Sequence, residues 1–160
     1  MWSDTWLTAE RVKGGQSLPE LEVDVTATLV VLGALASRDW RPMHHDRDFA
    51  QQRNGVRDIF LNTPNLAAWF ERYLTDWTGP TGRLGRMRFR MRDSIFPGDR
   101  MSLRGHVQSV ETDPTGCAWA EVAVVAGVGD RVCTECTARI ALPAARGDDP
   151  WRRRGEHWRP

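Results

Sequence analysis

Over its second half the hydrophobic period of this chain changes once, and that change limits what it can fold into. Leu66, Trp69, Phe70, Tyr73, Leu74 and Trp77 recur three or four residues apart, the spacing of one helix face. Ala67 and Ala68 widen the stripe until the predicted helix is buried nearly all round. Thr63 is the expected N-cap. Pro64 suits the first helical position, where its missing N–H has no intrahelical acceptor to lose. Gly79-Pro80 stops the helix, and beyond it the period becomes two. Met87, Phe89 and Met91 alternate with Arg86, Arg88, Arg90 and Arg92. After the turn at Pro97-Gly98-Asp99, Met101, Leu103 and Val107 alternate again. The turn Asp113-Pro114-Thr115-Gly116 leads to two long strands, Cys117 to Val125 and Val132 to Leu142, joined through Gly127-Val128-Gly129-Asp130. One buried helix followed by long antiparallel strands predicts an α+β fold, with the sheet wrapped around the helix.

The first half prepares that helix. Leu21, Val23 and Val25 alternate as a short strand. Thr26 is a fitting N-cap for a small apolar helix from Ala27 to Ala36, in which Gly33 permits close packing. Residues 1–19 show no sustained period and read as an arm, with Trp2 and Trp6 expected to pack on the body. Residues 143–160 are rich in Pro, Gly and Arg and read as a tail, docked through Trp151 and Trp158. Between arm and tail lies one domain, residues 20–142.

Charge and length exclude several functions. The chain has 22 Lys and Arg against 21 Asp and Glu, so no global field draws it to nucleic acid or anionic lipid. Its longest apolar stretch, Leu29 to Ala36, is too short to span a membrane. The first residues lack a secretory signal core, which leads us to expect a cytoplasmic protein. Three cysteines, Cys117, Cys133 and Cys136, are an odd set that fits reduced thiols. Residues three apart in a strand face opposite sides, so Cys133-x-x-Cys136 is a weak metal or redox motif.

The polar residues concentrate in Arg38-Asp39-Trp40-Arg41-Pro42-Met43-His44-His45-Asp46-Arg47-Asp48, which follows the small helix. It reads as a loop carrying an acid/base pair, opposite a helix N-terminus able to bind an oxyanion. A metal site built on His44, His45, Asp46 and Asp48 is the main competing reading, but no second His/Cys cluster completes a ligand set. Asp46 is the expected cap of a short following helical turn.

The pattern Asp39-x-x-Pro42-x-His44-x-Asp46 resembles the signature of MaoC-like enoyl-CoA hydratases, which have the hot-dog fold. Ala36-Ser37-Arg38-Asp39-Trp40, Asp58-Ile59-Phe60-Leu61-Asn62 and Arg72-Tyr73-Leu74-Thr75-Asp76-Trp77-Thr78-Gly79-Pro80 resemble more narrowly the small subunit of actinobacterial hydratases acting on steroid side-chain enoyl-CoA esters. The resemblance implies that Asp39 and His44 activate one water for addition to a 2-enoyl-CoA. It leaves open which of the two protonates the α-carbon. The thioester oxygen would be held by backbone donors of the first turn, at Asn62, Thr63 or Asn65. The resemblance also implies no cofactor, since coenzyme A is part of the substrate, and a homodimer or a heteromer with a second MaoC-like subunit, with the site near the interface. Two departures bear on the oxyanion donors: Arg41 precedes the loop proline where many relatives have Asn, and Asn62-Thr63 replaces a His-Gly or similar small pair. The alternatives are a non-catalytic hot-dog subunit or acyl-CoA-binding module, and a hot-dog thioesterase using Glu71. The arginines of positions 86–92 read as a solvated face or as contacts to coenzyme A phosphates.

Overall fold

The structure, a computed structural model, describes residues 7–160; the expected packing of Trp2 and Trp6 lies outside the described residues. The elements are β1 (Leu21–Asp24), α1 (Ala27–Ala36), α2 (Arg47–Gln52), α3 (Thr63–Thr78), β2 (Arg83–Met91), β3 (Arg100–Thr112), β4 (Ala118–Val128) and β5 (Arg131–Leu142), with short 3-10 turns between and beyond them. The long helix and the strands fall where the two periods place them.

α3 buries Leu66, Phe70, Tyr73 and Leu74 against the sheet, where they join Val107, Val122, Val124, Ala138 and Ile140 in one core. Two expectations for this helix are corrected. Asn62, not Thr63, is the N-cap: its side-chain oxygen accepts from the Asn65 N–H at 3.2 Å, which moves Pro64 one place into the helix. Nor is the helix buried all round, for Ala68, Glu71, Arg72, Thr75 and Asp76 are exposed. Alanine is small enough to sit on either face, so its presence did not define one.

The sheet has five strands in the order β1-β3-β4-β5-β2, every neighbouring pair antiparallel. β4 and β5 run further than expected and close through Gly129-Asp130 alone, Gly129 supplying the positive φ that a two-residue hairpin needs. The β4–β5 ladder pairs Gly127 with Val132 and Ala126 with Thr134, skipping Cys133. This β-bulge resets the alternation, so Cys133 and Cys136 both enter the core rather than facing opposite sides. Burial pushes the Cys136 thiol up to about 12.

The tail and the described part of the arm are both fixed to the body. Gly15 and Leu18 donate to the Val107 and Gly105 carbonyls, and Val107 donates back to Gln16, each at 2.8 Å. The arm therefore continues the edge that β1 begins on β3, and Val12 and Leu18 enter the core. The tail covers the outer face of the sheet. Trp158 packs on Trp119 at 5.0 Å between ring centroids, and the Arg83 guanidinium lies 3.5 Å over the Trp158 ring. Trp158 docks as expected, whereas Trp151 stays half exposed. Beneath the tail, Asp113 accepts from Trp119 Nε1 at 2.9 Å and from the backbone of Thr115 and Cys117.

α1 crosses α3 at Gly33. A Cβ at this position would overlap the Asn65 amide, which donates to the Leu29 carbonyl at 3.3 Å. Removing a mid-helix glycine gains about 1 kcal/mol in propensity, but overpacking costs about 1–3 kcal/mol. Gly33→Ala is expected to lower the melting temperature, and the double variant Gly33→Ala/Asn65→Ala to melt above the single one. Burial works to raise the Asp113 carboxyl, but the bonds from Thr115, Trp119 and the Cys117 N–H outweigh it and hold it well below the carboxylate range. Asp113→Ala should therefore cost about 2 kcal/mol in chemical unfolding near pH 7. A depressed folded pKa gives stability that is present above the unfolded value and lost as pH falls, so this difference should shrink below about pH 4.

Candidate active site

The site begins where α1 ends. Arg38 takes a left-handed conformation, φ 55°, the only non-glycine among the described residues with positive φ. Its N–H bonds the Leu35 carbonyl, and the next N–H, of Asp39, reaches back to Ala34 at 2.9 Å. That pair of bonds is a Schellman turn built on arginine where glycine is usual. It turns the chain sharply and pins the backbone of Asp39. Pro42–His44 then forms a 3-10 turn whose Pro42 carbonyl accepts from His45 and Asp46, placing the His44 ring inward. Asp46 caps α2, as expected, by accepting from the Phe49 N–H at 3.0 Å. Arg47 clasps Asp58 at 2.8 and 3.1 Å, tying the loop to the segment that leads into α3.

The His44 ring is buried and packs edge-on against Phe60. Its Nδ1 lies 2.8 Å from the Phe60 carbonyl oxygen. A carbonyl only accepts, so in the neutral ring Nδ1 carries the proton and Nε2 presents a lone pair. That lone pair faces Asp39, with Nε2 3.6 Å from Oδ2. Two acceptors cannot bond each other, but both can accept from one water.

Asp39 is held from two sides. Arg41 forks onto it, Nε to Oδ1 at 2.8 Å and Nη2 to Oδ2 at 2.7 Å. Asn62, fully buried, donates from Nδ2 to Oδ2 at 3.0 Å and to Ser37 Oγ at 2.8 Å. The Arg41 bonds, with the one from Asn62, overcome burial and keep the carboxyl well below its ordinary range. Asp39, His44 and Asn62 thus meet in one place. Asn62 participates through its side chain, and not as the backbone donor that its place in the first turn led us to expect. The signal was present, since Asn ranks above Thr as an N-cap. Ser37 and the Phe60 carbonyl left no comparable trace in the sequence.

Of the remaining candidates, the Asn65 N–H is spent on the Asn62 cap, and the Thr63 hydroxyl donates to Met91 Sδ at 3.2 Å. The Thr63 N–H, in the first turn of α3, has no intrahelical acceptor and lies at the positive end of the helix dipole. Trp40 and Met91, both exposed, give the neighbourhood an apolar rim. His45 and Glu71 face solvent. Among the described residues no group of three or more His, Cys, Asp or Glu is placed to hold a metal ion, and no helix is long and apolar enough to cross a membrane.

No family model matches the chain. It is 36% identical over 96 residues to the 3-oxo-4,17-pregnadiene-20-carboxyl-CoA hydratase beta subunit of Mycobacterium tuberculosis, spanning 60% of this chain and 74% of that protein. Among solved structures, the ChsH1-ChsH2 complex from Mycobacterium tuberculosis matches 82% of this chain and 98% of its own, at 30% identity and a TM-score of 0.75. The (R)-hydratase from A. caviae involved in PHA biosynthesis shares the fold, with a TM-score of 0.74 at 20% identity over 84% of this chain and 99% of that one. With the wrapped sheet and the Asp39–His44 loop in place, these likenesses decide the assignment: the chain belongs to the MaoC-like, hot-dog-fold family of enoyl-CoA hydratases.

Proposed function

We propose that this chain is the catalytic small subunit of a two-subunit hydratase that adds water to a bulky, steroid side-chain-type 2-enoyl-CoA, with Asp39 and His44 as the catalytic pair. The observation that carries the reading is the opposition of two acceptors, His44 Nε2 and Asp39 Oδ2, across 3.6 Å. One water donating to both is oriented and made more nucleophilic at once. Its oxygen bonds to the β-carbon while a proton leaves it. The π pair moves toward the thioester and charge gathers on the carbonyl oxygen. A proton then reaches the α-carbon and the charge returns. The N-terminus of α3 offers the Thr63 N–H and its dipole to that oxygen. Coenzyme A enters as part of the substrate, and no step calls for a cofactor.

The acyl class rests on the relative that acts on a pregnadiene carboxyl-CoA, and the exposed rim of Trp40 and Met91 suits a bulky apolar group. The partner rests on the ChsH1-ChsH2 complex, whose matching chain is covered almost end to end. A thioesterase role for Glu71 finds no support, because that carboxylate points to solvent on the outer side of α3.

The test is hydration of crotonyl-CoA and 3-oxo-4,17-pregnadiene-20-carboxyl-CoA by the chain alone and with a co-produced second MaoC-like subunit. The expected result is hydration of the steroid ester by the complex. Asp39→Ala and His44→Gln should each lower kcat by about 10²–10⁴-fold with the melting transition retained. Wild-type rates in both variants would refute the mechanism, and release of free thiol without hydration would make the protein a thioesterase.

A further inference from the structure

Asp39 is bonded unlike a group that is about to take up a proton. Its Oδ1 accepts from Arg41 Nε at 2.8 Å and from the Arg41 backbone N–H at 3.4 Å. Its Oδ2 accepts from Arg41 Nη2 at 2.7 Å and Asn62 Nδ2 at 3.0 Å. The charged and polar groups facing the carboxylate are Arg41 from its own loop, His44 from the 3-10 turn and Asn62 from the cap of α3; Ser37, at the end of α1, reaches it only through Asn62. Protonating Asp39 would break a forked, charge-assisted pair. Protonating His44 Nε2 breaks nothing, because Nδ1 already holds its proton against the Phe60 carbonyl.

We propose that Arg41 is a positioning residue that pins both oxygens of Asp39 and keeps it an ionised acceptor throughout turnover, so that His44 Nε2 alone carries the proton from water to the α-carbon. This rests on the hydratase reading and assigns the proton path within it. Nε2 takes a proton from the water as the water's oxygen bonds to the β-carbon, and the C=C π pair delocalises onto the thioester oxygen. The resulting imidazolium, stabilised by the Asp39 carboxylate, returns the same proton to the α-carbon. The enolate collapses, the imidazole ends neutral, the thioester C–S bond never breaks, and one water is consumed. Asp39 contributes orientation and negative charge. The Arg41 side chain is three-fifths exposed while it holds the carboxylate.

Arg41→Gln and Arg41→Lys, each in the complex with the second subunit, are measured for kcat and KM on the steroid enoyl-CoA across pH. Arg41→Gln should lower kcat about 10- to 100-fold through a loosened Asp39, with KM changed by less than about threefold. Without the guanidinium the Asp39 carboxyl moves back up toward about 3.9, so its ionised form is lost at higher pH and the acid side of kcat/KM steepens below about pH 5. Arg41→Lys should recover part of the rate, a point charge replacing a fork. In His44→Gln the residual rate should stay flat on the acid side down to about pH 5, because Asp39 remains ionised there. A rise in KM alone would make Arg41 a substrate contact and overturn the proposal. So would a faster Arg41→Gln enzyme, an unchanged rate and profile, or a persisting acid limb in His44→Gln. No hydration by the wild-type complex at any pH would instead remove the hydratase reading itself.

Discussion

One buried amide joins the parts of this molecule that must act together. Asn62 accepts from the first turn of α3 through its oxygen and donates through its nitrogen to Ser37 at the end of α1 and to Asp39 on the loop. Three separate segments are thereby set in a fixed relation. The arrangement is stable because every partner is satisfied: Ser37 hands its own proton to the Gly33 carbonyl at 2.7 Å. A buried polar group with no partner costs about 1–3 kcal/mol, so such a network resists partial disassembly. The sheet and the core of α3 supply the stability that this network spends on position.

Electrostatics reinforce the same geometry. Exposed ion pairs contribute about 0–1 kcal/mol each, so Arg47–Asp58 and Arg41–Asp39 matter less as stabilisers than as bidentate forks with fixed direction. The first ties the loop to the segment that leads into α3, and the second fixes the orientation of the Asp39 carboxylate. Elsewhere arginine serves the sheet. Arg139 bridges to Glu121 and lies over Trp119, and Arg92 pairs with Glu135. Arg86 is 3.9 Å from Glu121, so part of the arginine face of β2 is committed to the protein's own carboxylates.

Much of the fold was legible because the two hydrophobic periods are clean where the core is thick. Leu66, Phe70 and Leu74 are spaced for a helix, and Met101, Leu103 and Val107 for a strand, since each must meet the same interior. The arm carried no such signal. It is held to β3 through backbone groups of Gly15, Gln16 and Leu18, and backbone pairing leaves no mark on side-chain order. The bulge at Cys133 is equally silent, for a skipped residue is a property of two strands and not of one. At the site, Asp39 and His44 stood out by chemistry and by resemblance. Arg41 looked like a departure from pattern; only the fold shows its guanidinium returning onto the carboxylate two residues before it. The cap of α3 was misplaced by one position because Asn62 and Thr63 can both cap, and the choice depends on what else the winning side chain can reach.

The polar side chains that hold Asp39 and His44 lie between Ser37 and Asn62, a single run of chain that contributes no strand to the sheet. The five strands and the apolar face of α3 form a frame outside that run. Substitutions at the polar positions of the run can therefore retune the site while the frame keeps folding. In an assembly of two such folds, one copy is free to lose its polar run and become a wall for the other's substrate. A division of labour between unequal subunits thus needs no new architecture, only the erosion of one short passage in one of them.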